Sequence, residues 1–307
     1  MRYAALIPCG PAEPEVERVC DLLDALRMLD PEDCVVALIL NDGNARLREL
    51  VGMPLARIED NPRHGEGWGW AGGLIAAELW ALELLLREYP EAECMVKFDT
   101  DALPIKPLGP PLETVLADPL AGFAGERTGY DPFSAEADKS PRAARQRMVR
   151  KLRAPMSLWR KPHWHVRISL AGRHRWIAQL YAKAERNGYV PGDVVEGGAC
   201  AFSRECAWRL SEAGVLQRWR DFIDIATGDD VVLTMLPYVV GLRAVSATLF
   251  SPGDQMALKF APERLLRHPE VGAVHSVKRY EQLGEAEIRA LLKKDRQERT
   301  RLVATGE

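Results

Sequence analysis

The stretch CMVKFDTDALPI places two carboxylates directly after a run of apolar residues. Cys94, Met95, Val96 and Phe98 are apolar, and Asp99 and Asp101 follow two residues apart. Residues two apart in extended chain share a face. The pair therefore offers two hard oxygen ligands near one point, a donor set suited to Mg2+ or Mn2+. Such ions keep several waters and take further ligands from substrate phosphates. The competing reading is that both acids merely cap a turn. A second acidic pair, Asp229-Asp230, follows Gly228 and opens the helical pattern 231–240. Carboxylates there can serve as a general base toward a hydroxyl, or simply cap the helix and complement its dipole.

The elements needed to position these acids are legible in the apolar pattern. Tyr3–Pro8 reads as a strand, followed by a helix through Val16, Val19, Leu22, Leu23, Leu26 and Leu29. CVVALIL, 34–40, is a second strand stopped by the turn Asn41-Asp42-Gly43-Asn44. Residues 55–58 suggest a third strand, 71–87 a long helix, and 95–98 a fourth strand. Alternation of helices with doubly apolar strands predicts a parallel sheet covered on both faces. Ligands bind such sheets beyond the carboxyl ends of the strands, where the loops PCGPAEP, NDGN and DTDALP emerge together. Further on, GGACAF predicts a strand leading into a helix at 203–210. Residues 243–250 predict one more strand, and a charged helix begins at Glu285 and ends in a frayed tail.

In motif order across residues 3–280, the chain resembles the D-x-D-containing, family-2-like glycosyltransferases of the GT-A fold, which use nucleotide-diphosphate sugars. Leu6-Ile7-Pro8 resembles their opening strand, which implies that Pro8 approaches the nucleotide base. NDGN resembles the acidic turn that contacts base or ribose, with Asp42 in the matching place and Asn41 where a second acid is usual. HGEGWGWAGGLIAAE resembles the glycine-containing loop and helix before the D-x-D strand. Asp99-Thr100-Asp101 matches the D-x-D motif, which implies that Asp101 holds the metal and Asp99 contacts ribose or metal. EGGACAFSRE resembles the Gly-Gly strand beside the acceptor. GDDVVL resembles the helix start that supplies a general base, with Asp230 the first candidate and Asp229 the second. His275 and Lys278 in HSVK stand where some members carry a metal-binding histidine and a diphosphate-binding lysine.

The resemblance implies one α/β domain of Rossmann-like GT-A type over 1–307. Its nucleotide-sugar half is 1–105, its acceptor half 106–283, and a C-terminal helix and tail occupy 284–307. The implied reaction is Mn2+- or Mg2+-dependent hexosyl transfer from a UDP- or GDP-sugar to a hydroxyl acceptor, neutral or anionic. A haloacid-dehalogenase-type phosphohydrolase using Asp99 and Asp101 is the alternative, and a non-catalytic nucleotide-sugar binder is a third reading. Trp68 and Trp70 can stack on a sugar or base, or pack beside the glycines; His64 reads as loop.

Bulk composition narrows the setting. The 307 residues are 47% hydrophobic and 28% charged, with a net charge of −3, ordinary for a globular protein. No run of about 18 apolar residues is present, so no membrane-spanning helix is expected. Six cysteines without a CxxC pair predict reduced thiols and a cytoplasmic setting. Segment 142–176 carries eleven Arg and Lys and no acid, interleaved with three tryptophans. It reads as a lid over the donor diphosphate, as a grip on an anionic acceptor or peripheral membrane surface, or as a solvated face. No motif for nucleic-acid binding accompanies it.

Overall fold

A computed structural model describes residues 1–127, 175–190, 193–225, 228–251, 253–254 and 257–305. The basic segment lies outside the described residues except for Arg175 and Trp176.

The central sheet has seven strands: β1 (Tyr3–Cys9), β2 (Cys34–Asn41), β3 (Ala56–Asp60), β4 (Cys94–Phe98), β6 (Ala121–Arg127), β7 (Val195–Ser203) and β8 (Arg243–Ser246). Their order is β3-β2-β1-β4-β7-β6-β8. Only β7 runs against its neighbours, pairing antiparallel with β4 and β6, while the other pairings are parallel. Strands 1 and 2, and strand 4 apart from Lys97, are apolar on both sides because helices cover both sheet faces. One face packs against α2 (Gly72–Glu88), α4 (Arg175–Arg186), α5 (Arg204–Glu212) and α6 (Asp229–Val239). The other packs against α1 (Pro14–Leu29), α3 (Gly109–Leu116), α7 (Pro262–Arg267) and α8 (Glu285–Thr305). All six cysteines are free. Among the described residues no helix is long and apolar enough to cross a membrane.

Most of the sheet follows from its sequence pattern, with two departures: β6 is not among the strands that the pattern predicts, and the second concerns the last strand. The apolar run at 243–250 is not one strand. β8 stops at Ser246, the chain bends, and Phe250–Ser251 forms β9 of a separate small sheet, ordered β5-β12-β9 with β5 at Leu103–Pro104 and β12 at Ala273–Val274. Apolar residues Ala247 and Leu249 are buried within the bend, so burial continues while the pairing changes. Two short hairpins complete the strands, β10 (Gly253–Asp254) with β11 (Ala257–Leu258) and β13 (Arg279–Tyr280) with β14 (Leu283–Gly284).

The small sheet matters because it brings the chain after β12 onto the Asp99–Asp101 turn. β12 pairs antiparallel with β5, directly after the Asp99–Asp101 turn, and parallel with β9. The turn itself is closed by the Ala102 amide donating to the Asp99 carbonyl at 2.8 Å, and the Val277 amide donates to the Asp101 carbonyl at 3.0 Å.

The last helix, read from sequence as fraying into a tail, is tied to this turn. Arg18 bonds Glu285 through Nε at 2.8 Å and Nη2 at 2.6 Å. Arg289 donates to Asp21 at 2.8 Å, to Glu285 at 2.9 Å and to the Thr100 carbonyl at 3.0 Å. Arg296 is wholly buried and reaches Asp21 at 2.5 Å, while Ile288 and Leu292 fill the core beneath. Hydrogen bonds to charged groups contribute about 1.5–3 kcal/mol each when partly buried. Arg289→Ala is therefore expected to lower unfolding free energy by about 1.5–3 kcal/mol in urea titration, whereas exposed Arg27→Ala should stay within about 0.5 kcal/mol.

Candidate functional site

The carboxyl ends of β1, β2 and β4 border a cavity of about 300 Å3. Pro8, Asp42, Asp99, Asp101 and Asp229 all line it, five of the eight residues singled out from the sequence. A larger hollow of about 620 Å3, between α7, α8 and Lys106, holds none of them. The acids singled out from the sequence gather at the smaller cavity.

Beneath the cavity floor sits a buried cation. Lys97, on the fourth residue of β4, points to the sheet face that packs on α2 and α6. Its Nζ lies 2.9 Å from Glu78 Oε1, 3.1 Å from Asp99 Oδ1 and 2.6 Å from Asp229 Oδ2. Lys97 is 2% exposed and Glu78 1%. Burial would lower the Lys97 ammonium, but Asp229, Asp99 and Glu78 hold it well above its ordinary range. Burial pushes the Glu78 carboxyl up to about 8 against the pull of Lys97, because Asp229 and Asp99 already compete for the same cation. Burial likewise raises Asp99, with Lys97 and His275 opposing.

Above the floor, Asp101 meets His275 and Lys278 from the chain after β12. His275 Nε2 is 3.4 Å from Asp101 Oδ1 and 3.8 Å from Asp99 Oδ2, and Lys278 Nζ is 2.7 Å from Asp101 Oδ2. Between them Ser276 adopts a φ of 61°, uncommon away from glycine, and the residues either side of this bend both reach Asp101. Burial alone would raise Asp101; contact with His275 and Lys278 outweighs it and holds the carboxyl well below the usual range. Burial alone would lower His275; Asp101 and Asp99 raise it instead. One ligand atom each from Asp99, Asp101 and His275 lies within 4.8 Å of the others. Two carboxylates and an imidazole form a donor set that could hold a divalent metal ion.

The Gly-Gly pair of β7 makes room for both groups. A Cβ at Gly198 would stand 2.3 Å from ring atoms of His275, and one at Gly197 would stand 2.7 Å from Asp229 Oδ2. Any larger residue would push the imidazole or the carboxylate aside.

The structure separates the two acids at the start of α6. Asp229 faces the cavity and holds Lys97. Asp230 is not among the cavity's lining; its Oδ1 accepts from the Val231 amide at 2.9 Å. Burial, with Asp229 next to it, pushes the Asp230 carboxyl up to about 6. Asp42 reaches the cavity but is ion-paired with Arg63, whose guanidinium also donates to the Glu66 and Gly67 carbonyls. Lys97, Glu78 and Arg63 escaped the sequence reading. Their signal was present, since a lysine inside CMVKF and a glutamate inside an apolar helix are charges at core positions, and buried charges need partners.

A mostly parallel seven-stranded sheet, covered by helices on both faces, thus carries the Asp99–Asp101 turn at the carboxyl end of its fourth strand. The fold is α/β, with a mostly parallel central sheet covered by helices on both faces. The sequence matches no family model and no curated protein. Among solved structures, it is similar to the galactosyltransferase LgtC in complex with donor and acceptor sugar analogs (TM-score 0.48, 12% identity, 96% of this chain and 95% of that one). It is also similar to the mannosyltransferase PcManGT from Pyrobaculum calidifontis in complex with GDP-Man and Mn2+ (0.42, 18%, 97% and 63%). A third is mouse xyloside xylosyltransferase 1 (0.42, 13%, 90% and 97%). At these identities and scores the likenesses carry no substrate across to this chain.

The Glu78 carboxyl gives a pH signature. With a folded value near 8 against an ordinary 4.5, the folded chain keeps a proton that the unfolded chain has released. Stability from this group therefore falls as pH rises between about 4.5 and 8. Glu78→Gln should remove that part of the slope in midpoint-temperature measurements from pH 5 to 8. An unchanged slope would show that Glu78 does not titrate in this window.

Proposed function

We propose that the protein is a metal-dependent glycosyltransferase that moves a sugar from a nucleotide-diphosphate donor to a hydroxyl acceptor. The observation that carries this reading is the convergence of Asp99, Asp101 and His275, with Lys278 beside them, at the rim of a cavity lined also by Asp229. A divalent ion held by Asp99, Asp101 and His275 would supply positive charge for the leaving diphosphate. Lys278 adds a second positive charge on that side, and Pro8 and Asp42 line the part of the cavity suited to the nucleoside.

In the transfer, the acceptor oxygen bonds to the anomeric carbon as that carbon's bond to the diphosphate oxygen breaks. The electron pair of the broken bond leaves with the nucleoside diphosphate, and the acceptor proton passes to a carboxylate. Asp229 is the acceptor-side carboxylate, ahead of Asp230, because it faces the cavity. Lys97 holds Asp229 and Asp99 at a fixed separation and so acts as a positioning residue for both. Asp230, raised to about 6 and turned back on its own helix, supports that helix start.

Donor binding is tested by thermal unfolding with UDP, GDP, ADP or CMP, each with and without Mn2+. A nucleotide at a hundredfold its dissociation constant adds about 2.7 kcal/mol of stability. One nucleotide should stabilise only with metal, and Asp101→Ala should abolish the effect; absence of any shift would sink the reading. Catalysis is tested by donor turnover on Asp229→Asn and Asp230→Asn. Loss of a general base costs about 10^2–10^4-fold in rate, expected for Asp229→Asn with donor affinity retained. A greater loss in Asp230→Asn would reverse the two roles.

A further inference from the structure

Trp68 and Trp70 are 57% and 59% exposed, although large aromatic side chains are ordinarily buried or engaged. Their ring centroids lie 5.2 Å apart with the planes tilted by 43°. The turn that bears them is tightly held. Arg63 donates to the Glu66 carbonyl at 2.8 Å and the Gly67 carbonyl at 3.0 Å. The Trp68 carbonyl accepts from the Ala71 and Gly73 amides, both at 3.1 Å. The Gly72 amide donates to the Ile225 carbonyl at 2.9 Å. Gly67, with a φ of 68°, lies so close to the Ile223 carbonyl that a Cβ would stand 2.5 Å from it. Two indoles are thus presented to solvent on a fixed support. Trp70 lines the same cavity as Asp99, Asp101 and Asp229.

We propose that the Trp68–Trp70 pair is the acceptor subsite of this cavity and that the acceptor is a carbohydrate, one pyranose ring of which stacks on an indole. The inference rests on the glycosyltransferase reading and extends it to the acceptor's class. A pyranose offers a face of C–H groups ringed by hydroxyls, so it suits an aromatic surface set among polar groups. The surroundings here are of that kind: His64, Gly65, Glu66 and Gly69 are all exposed, and none is apolar beyond glycine. An acyl chain would need contiguous apolar surface, which this turn lacks. A nucleobase is better served deeper in the cavity, where Asn61, 6% exposed, offers an enclosed hydrogen-bonding group. The solvent-facing indoles leave that recess to the donor and stand where a second substrate enters.

The test uses the full chain, fluorescently labelled, with Mn2+ and UDP or GDP, on an array of oligosaccharides ending in glucose, galactose, mannose or N-acetylglucosamine. In parallel, each variant is scored for its nucleotide-dependent thermal shift and for binding to vesicles of phosphatidylcholine with phosphatidylglycerol. The wild type should be retained on at least one pyranose-terminated glycan. Trp68→Ala or Trp70→Ala should weaken that binding at least tenfold, Trp70→Phe should restore part of it, and the nucleotide shift should stay unchanged. Both side chains are solvent-facing, so these variants should fold. Equal glycan binding by the alanine variants, or no binding by the wild type, overturns the proposal. So does loss of the nucleotide shift instead, which would assign the indoles to the base, or loss of vesicle binding instead, which would assign them to lipid. Absence of any nucleotide shift in the wild type would count against the glycosyltransferase reading itself, independently of the array.

Discussion

The site depends on one buried ammonium. Lys97 is enclosed by carboxylates from three separate elements: Glu78 from the middle of α2, Asp99 from the end of β4 and Asp229 from the start of α6. Desolvating a single charge costs several kcal/mol, so this lysine is tolerable only while those partners stay in place. The constraint is mutual. The acidic groups are held together by the cation between them, and burial, with Asp229 and Asp99 nearby, keeps a proton on Glu78 toward pH 8.

The consequence reaches both sides of the cavity. Asp99 belongs to the turn that also presents Asp101, and Asp229 belongs to the helix on the opposite wall. A shared ion pair fixes the distance between them more firmly than loop packing alone would. A second layer supports the turn from behind, where Arg289 donates to the Thr100 carbonyl and ties α8 to α1. The glycines of β7 complete the arrangement by leaving room for the His275 ring and the Asp229 carboxylate. Acids, imidazole and lysine can therefore crowd together without the side-chain collisions that a bulkier strand would impose.

Much of this was readable before any coordinates. Strands 1, 2 and 4 and helices 1 and 2 follow from local periodicity, because each buries residues at regular spacing against the sheet. Asp99 and Asp101 were legible because two acids at the end of an apolar strand have no place in its core. The break between β8 and β9 was not legible, since burial continues through the bend and apolar patterning reports burial, not pairing. The ties of α8 to the D-x-D turn were also hidden, because Arg18 in α1 and Arg289 and Arg296 in α8 look like ordinary surface charges.

The sequence by itself determined which residue types are available and the local elements that carry them: hard oxygen ligands after a strand, an acidic helix start, a Gly-Gly strand, a late histidine and lysine. Only the tertiary structure decided which of them meet. It brought His275 and Lys278 onto Asp101 through a small sheet linking residues far apart in the chain. It turned Asp229 toward the cavity and Asp230 away, a choice between adjacent residues set by helix geometry and by the pull of Lys97. It placed Lys97 under both walls. Ion pairs of this kind act over a few ångströms of space with no regard for separation along the chain, so spacing in the sequence could not report them.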